Sequence, residues 1–113
     1  MTGTTGGTHL SSVQTQALRQ ELEEQLAWRS RQLLSLQAAS RDARGADDTW
    51  QELLVSITAA DRALAELQQA LDRLDEGAYG RCGQCDAGIP FERLKIRPLA
   101  RYCIDCQRLH EAA

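Results

Sequence analysis

Tyr79-Gly80-Arg81-Cys82-Gly83-Gln84-Cys85 and, further on, Cys103-Ile104-Asp105-Cys106 hold all four cysteines of the chain, two per pair, with 17 residues between the pairs. A two-residue gap lets one tight turn present both sulfurs of a pair to a single ion, and zinc prefers four soft thiolates in a tetrahedron. The expected cofactor is therefore one structural Zn2+ held by Cys82, Cys85, Cys103 and Cys106. With every ligand position filled by cysteine, no place remains for a reactive water, which argues against zinc hydrolase chemistry. A thioredoxin-like redox pair would call for a strand-helix-strand context that is missing, and a reducing cytoplasm disfavours two disulfides. His110 lies four residues beyond Cys106 and is expected to be a solvent-facing helix residue, because four thiolates already complete the shell.

Residues 77 to 113 offer few large apolar side chains beyond Tyr79, Ile89, Phe91, Leu94, Ile96, Leu99, Tyr102, Ile104 and Leu109. Such a segment cannot offset its own ordering entropy by burial alone. A structural zinc contributes an apparent stabilisation of roughly 10 to 16 kcal/mol and so decides whether the segment is ordered.

Upstream of the cysteines the pattern is helical. From Leu10 to about Ser40 there is neither Pro nor Gly, and Leu18, Leu22, Leu26, Leu33 and Leu36 recur at steps of three, four or seven. Ser11 with Gln14 has capping-box spacing at the start, and Arg29 interrupts the stripe where a Leu is expected, a polar seam position that weakens packing but fixes register. Arg41 to Asp48 then reads as a reversal around Gly45. Thr49 with Glu52 has the spacing of a second capping box, and Trp50, Leu53, Ile57, Ala60, Leu64, Leu67, Leu71 and Leu74 follow in alternating steps of three and four. Gly77 is placed to stop this helix in the left-handed conformation.

Two such helices joined by a short reversal hide their stripes against each other. The expected fold is mostly α: a flexible tail over 1 to 10, an antiparallel coiled-coil hairpin over 11 to 76 with its tip at 41 to 48, and a small four-cysteine zinc finger over 77 to 113 ending in a short helix. The rod should be roughly 40 Å long. A monomer is favoured; the alternative is a bundle completed by a second copy, for which Trp28 and Leu34, off the main stripe, would supply an adhesive surface.

Composition narrows the function further. At 113 residues the chain has no room for a large multi-domain enzyme, and a net charge of −3 excludes a basic surface spread over the whole molecule. No apolar run approaches the roughly 18 residues of a membrane span. Met1 to His9 lacks the basic start and apolar core of a secretory signal, so a cytoplasmic protein is expected. No Ser/His/Asp set, phosphate-binding glycine loop or open metal site is visible, and no enzymatic activity is expected. Residues 1 to 76 hold 7 arginines against 12 acids, whereas 77 to 113 hold 6 basic and 4 acidic residues. Four thiolates on one zinc add about −2 and nearly cancel the finger's excess, so attraction to DNA should be weak.

The run Tyr79 to Cys85, Ile89-Pro90-Phe91-Glu92-Arg93-Leu94, Arg97-Pro98 and Cys103-Ile104-Asp105-Cys106-Gln107 resembles the zinc finger of the DksA/TraR family, and the preceding hairpin is similar to the coiled coil of its longer members. The resemblance implies a bacterial transcription regulator that binds RNA polymerase without sequence-specific DNA contact. In that family the coiled coil enters the secondary channel, and acidic residues at its tip act near the catalytic centre, in some members together with guanosine tetraphosphate. Carried onto this chain, the tip residues are Asp42, Asp47 and Asp48. The family's tip has two acids three residues apart followed by an alanine; here no such motif occurs, and Arg41 and Arg44 are added. A competing reading gives Asp47 and Asp48 to helix capping alone. The alternative function is a zinc-stabilised adaptor or self-associating interaction module.

Overall fold

The computed structural model describes residues 9 to 43 and 47 to 112. Helix α1 runs Ser12–Asp42 and α2 runs Asp47–Glu76; two short helices follow, α3 (Phe91–Ile96) and α4 (Ile104–Ala112). Among the described residues there is no strand, only an isolated antiparallel bridge between Arg81 and Gly88. The molecule measures 61 × 33 × 20 Å, an elongated hairpin with the finger at its base.

The start of α1 is set by its cap. Ser11 Oγ accepts from the Gln14 N–H at 3.0 Å while Gln14 Oε1 accepts from the Ser11 N–H at 3.0 Å, so two otherwise orphaned donors are satisfied reciprocally. Helix α2 begins three residues earlier than the Thr49 spacing suggested, so Thr49 lies inside the first turn and is not the N-cap. Arg44, Gly45 and Ala46 of the reversal lie outside the described residues. The end of α2 is a Schellman closure: Gly77 adopts φ 76°, its N–H donates to the Leu74 carbonyl at 3.2 Å, and Ala78 N–H reaches back to Arg73 at 2.8 Å. A left-handed residue is required there, and glycine adopts it without a steric penalty.

Packing is uneven along the rod. At the base, Leu18, Leu22, Leu67, Ala70 and Leu71 join Tyr79, Ile89 and Leu94 of the finger in one buried cluster. Toward the tip the seam is thinner, and Leu33, Leu36, Leu53, Ile57 and Leu64 are only half-buried. Opening should therefore begin at the tip and spread toward the base. Trp28 and Leu34 are 52% and 67% exposed, as expected for positions off the stripe.

Arg29 is half-buried on the seam side of α1, donates to Gln32 Oε1 at 2.9 Å and stands 5.1 Å from the Trp28 ring centre. Substitution Arg29→Leu is expected to raise Tm by about 5 °C through about 1 kcal/mol of added apolar burial, checked by thermal melts followed at 222 nm. A fall in Tm would mean that the guanidinium contacts outweigh the seam.

His9 and Leu10 do not belong to a tail. Leu10 is 7% exposed within the base cluster, and His9 Nε2 donates to the Ile89 carbonyl. The imidazole lies so close over Gly88 that a Cβ there would sit 2.6 Å from His9 Nδ1. Residues 1 to 8 of the expected tail lie outside the described residues. Gly88→Ala should displace the ring and lower stability by about 1 kcal/mol. Adding His9→Ala to that variant should then have almost no further effect, a non-additivity that denaturant melts of the four proteins would detect.

Candidate metal centre

The first cysteine pair is folded by a tight loop. Cys82 N–H donates to Ala87 O at 2.7 Å, Ile89 N–H to Gly80 O at 2.7 Å, and Asp86 N–H to Cys82 O at 2.9 Å. These bonds turn the chain so that the N–H groups of Gln84 and Cys85 point at Cys82 Sγ, at 3.4 and 3.5 Å. Asp86 closes the loop with φ 65°, a conformation that aspartate tolerates better than most residues. Its carboxylate takes both arms of the Arg81 guanidinium, at 3.0 and 2.6 Å.

The second pair comes from the start of a helix. Cys103 immediately precedes α4, whose first turn carries Cys106, and Gln107 N–H donates to Cys103 O at 2.9 Å. The two halves are joined by Gly83 N–H donating to Arg101 O at 2.8 Å. Between them α3 places Arg93, whose Nε donates to Tyr102 O at 3.3 Å. Tyr79 secures the module to the hairpin: its ring is buried and its hydroxyl donates to Pro98 O at 2.8 Å. Burial pushes the Tyr79 phenol up to about 12, so it stays a neutral donor.

The four cysteine Sγ atoms lie within 4.8 Å of one another, and Cys85 Sγ and Cys103 Sγ are 3.8 Å apart. A tetrahedron with Zn–S bonds of about 2.3 Å has sulfur edges of about 3.8 Å, so the donor set fits one Zn2+ in both number and spacing. Burial works against a thiolate at Cys82, but the N–H groups of Cys85, Cys103 and Gln84 overcome it and lower this thiol to about 6. Hydrogen bonding with Cys103, followed by burial, instead raises Cys106 to about 12. A dication held by the four sulfurs would favour the thiolate form at each of them. His110 is exposed and stacks on Tyr102 with ring centres 4.1 Å apart, so it is not a ligand candidate.

Residues 77–112 match the description "Prokaryotic dksA/traR C4-type zinc finger". The match is confined to this segment and includes all four cysteines. A C4-type match together with the converging sulfurs is consistent with one structural zinc. Over 57 residues the chain is 39% identical to a protein of Aquifex aeolicus, covering 50% of this chain and 39% of that one. Over 64 residues it is 31% identical to the RNA polymerase-binding transcription factor DksA of Buchnera aphidicola, covering 54% of this chain and 42% of that one. The matched region thus spans less than half the length of either relative. The solved structure of transcription factor DksA2 from Pseudomonas aeruginosa shares the fold of hairpin and finger together, with a TM-score of 0.85 over 92% of this chain and 88% of that one at 24% identity.

The three tip acids lie far from the finger. Asp42 is the last residue of α1 and exposed; Asp48 is exposed in the first turn of α2; Asp47 opens α2, and its side chain is outside the described set. Helix α3 was not among the sequence expectations, although Pro90 before it, Glu92 in its first turn and Pro98 shortly after it are the ordinary punctuation of a short helix. No helix among the described residues is long and apolar enough to cross a membrane.

Proposed function

We propose that this chain is a transcription regulator that binds RNA polymerase, with the hairpin entering the secondary channel and its acidic tip acting near the catalytic centre. The observation that carries the proposal is the combination of a dksA/traR finger with an antiparallel hairpin whose far end presents exposed Asp42 and Asp48. Cys82, Cys85, Cys103 and Cys106 would hold a zinc that cross-links the finger, and the finger shares its core with the hairpin base, so the rod projects from a fixed foundation. The 31 residues of α1 reach about 46 Å, enough to carry a charge deep into a channel.

The tip acids are not equivalent. Asp47 and Asp48 occupy the first turn of α2, where the positive end of the helix dipole favours carboxylates, so helix stability alone accounts for them. Asp42 ends α1, where the dipole is negative and a carboxylate is disfavoured. Its position works against the helix it terminates, which favours a role toward a partner. A carboxylate there would act on magnesium or on basic groups near the polymerase active centre.

Purified zinc-loaded protein should bind cognate polymerase holoenzyme, and a factor already occupying the secondary channel should block that binding. Failure to associate, or association indifferent to blockage, would contradict the proposal. The second reading, a self-associating or adaptor module, is favoured by the exposure of Trp28, Leu34 and Val55, the last at 71%. It requires sedimentation that depends on protein concentration.

A further inference from the structure

The first cysteine turn is closed by an ion pair that brackets both of its sulfurs. Arg81 directly precedes Cys82 and Asp86 directly follows Cys85, so a contact between their side chains joins the two ends of the turn. That contact is two-pronged: Arg81 Nε donates to Asp86 Oδ1 at 3.0 Å and Arg81 Nη2 donates to Asp86 Oδ2 at 2.6 Å. A planar guanidinium meeting a carboxylate in this way fixes orientation as well as distance, which a single-point contact does not.

The backbone beneath the pair is strained. Asp86 is the one non-glycine residue with positive φ among the described residues, at 65°, whereas Gly77 and Gly80 hold the other such positions. Glycine would adopt this conformation without a steric penalty, so what an aspartate adds there is its carboxylate. Asp86 N–H donates to Cys82 O and Cys82 N–H to Ala87 O, and these bonds turn the N–H groups of Gln84 and Cys85 toward Cys82 Sγ. A loop that opened at residue 86 would therefore release the arrangement of the first sulfur pair. With 32% and 73% of the two side chains accessible, the ion pair adds little to the stability of the whole protein. Its leverage is local, because the short turn it spans carries two of the four ligand candidates.

We infer that Arg81 and Asp86 are positioning residues for the metal, clamping the first cysteine turn closed and so raising the affinity of the finger for zinc. This rests on the finger holding zinc and is independent of polymerase binding. The clamp acts by keeping Cys82 and Cys85 at the separation one ion requires, which reduces the ordering that zinc binding must bring about. It does not act through net charge, since the paired guanidinium and carboxylate sum to zero.

The test is competition for zinc between the full chain and a fluorescent chelator, at low salt and at about 0.5 M salt. Arg81→Gln and Asp86→Asn should each weaken zinc binding about two- to fivefold at low salt, and the double variant should be no weaker than either single one. Asparagine also tolerates the left-handed conformation, so Asp86→Asn removes the ion pair without adding strain. Arg81→Lys should recover only part of the loss, since an ammonium does not reproduce the fork that engages both oxygens. At high salt all the differences should shrink toward parity, because the pair is exposed. Unchanged affinity in both single variants would overturn the inference, as would losses that multiply in the double variant, since independent contributions behave so. Opposite shifts that cancel in the double variant would overturn it too, because net charge and not the pairing would be the cause. An unaltered chain that takes up no zinc would overturn the metal reading and the clamp together.

Discussion

Cys106→Ser is expected to abolish stoichiometric zinc and to melt the finger. Cys106 is 7% exposed and sits in the first turn of α4, so its sulfur is delivered by a helix that has little other reason to exist: 9 residues lie well below the length at which an isolated helix is stable. Removing one thiolate forfeits much of the roughly 10 to 16 kcal/mol of apparent stabilisation that a structural zinc supplies. The far-UV loss should be modest, because α3 and α4 contribute 6 and 9 helical residues against 31 and 30 in the hairpin. The loss of Tm in what remains should be large, because Ile89 and Leu94 of the finger complete the cluster around Leu22 and Leu67. Strong chelator should reproduce both effects in the unaltered chain. Spectra and melting unchanged by chelator would show that the finger stands without metal.

The second large effect concerns the tip. Asp42→Ala is expected to leave polymerase binding within about twofold while reducing the transcriptional effect by at least about tenfold, read in single-round transcription from a responsive promoter. The same substitution should raise hairpin stability slightly, by about 0.3 to 0.5 kcal/mol, because it removes a carboxylate from the negative end of α1. Asp47→Ala with Asp48→Ala should move stability the other way, since those carboxylates complement the start of α2. A gain in stability joined to a loss of function is the signature of a residue kept for a partner. If Asp42→Ala is fully active, the tip acts through other groups.

The hairpin and the four-cysteine cluster were legible before any coordinates, and the reason is spacing. Leu18, Leu22, Leu67 and Leu71 follow a spacing that only a helix satisfies on one face, and all four are buried. The convergence of Cys82, Cys85, Cys103 and Cys106 was anticipated by spacing because each pair is joined by a two-residue gap. What the pattern did not reveal depends on contacts distant in sequence. His9 and Leu10 look like the end of a Thr/Gly tail, yet they pack on Gly88, Ile89 and the base cluster, some 80 residues away. No local signal announces such docking. Arg73 is likewise an ordinary last-turn cation by sequence, and only the fold brings it to a cleft beside Arg101 and Cys82. Helix α3 was marked by Pro90 and Pro98, but at 6 residues it is too short to show a period.

The proposal that the hairpin works inside the polymerase is tested most directly by a photo-crosslinking residue introduced at position 48, in the first turn of α2, in zinc-loaded protein mixed with cognate holoenzyme. Adducts confined to the walls of the secondary channel, absent when the same residue stands at position 109 of α4, are the predicted result. Adducts only to a second copy of the chain, or the same polymerase adducts from both positions, would contradict it.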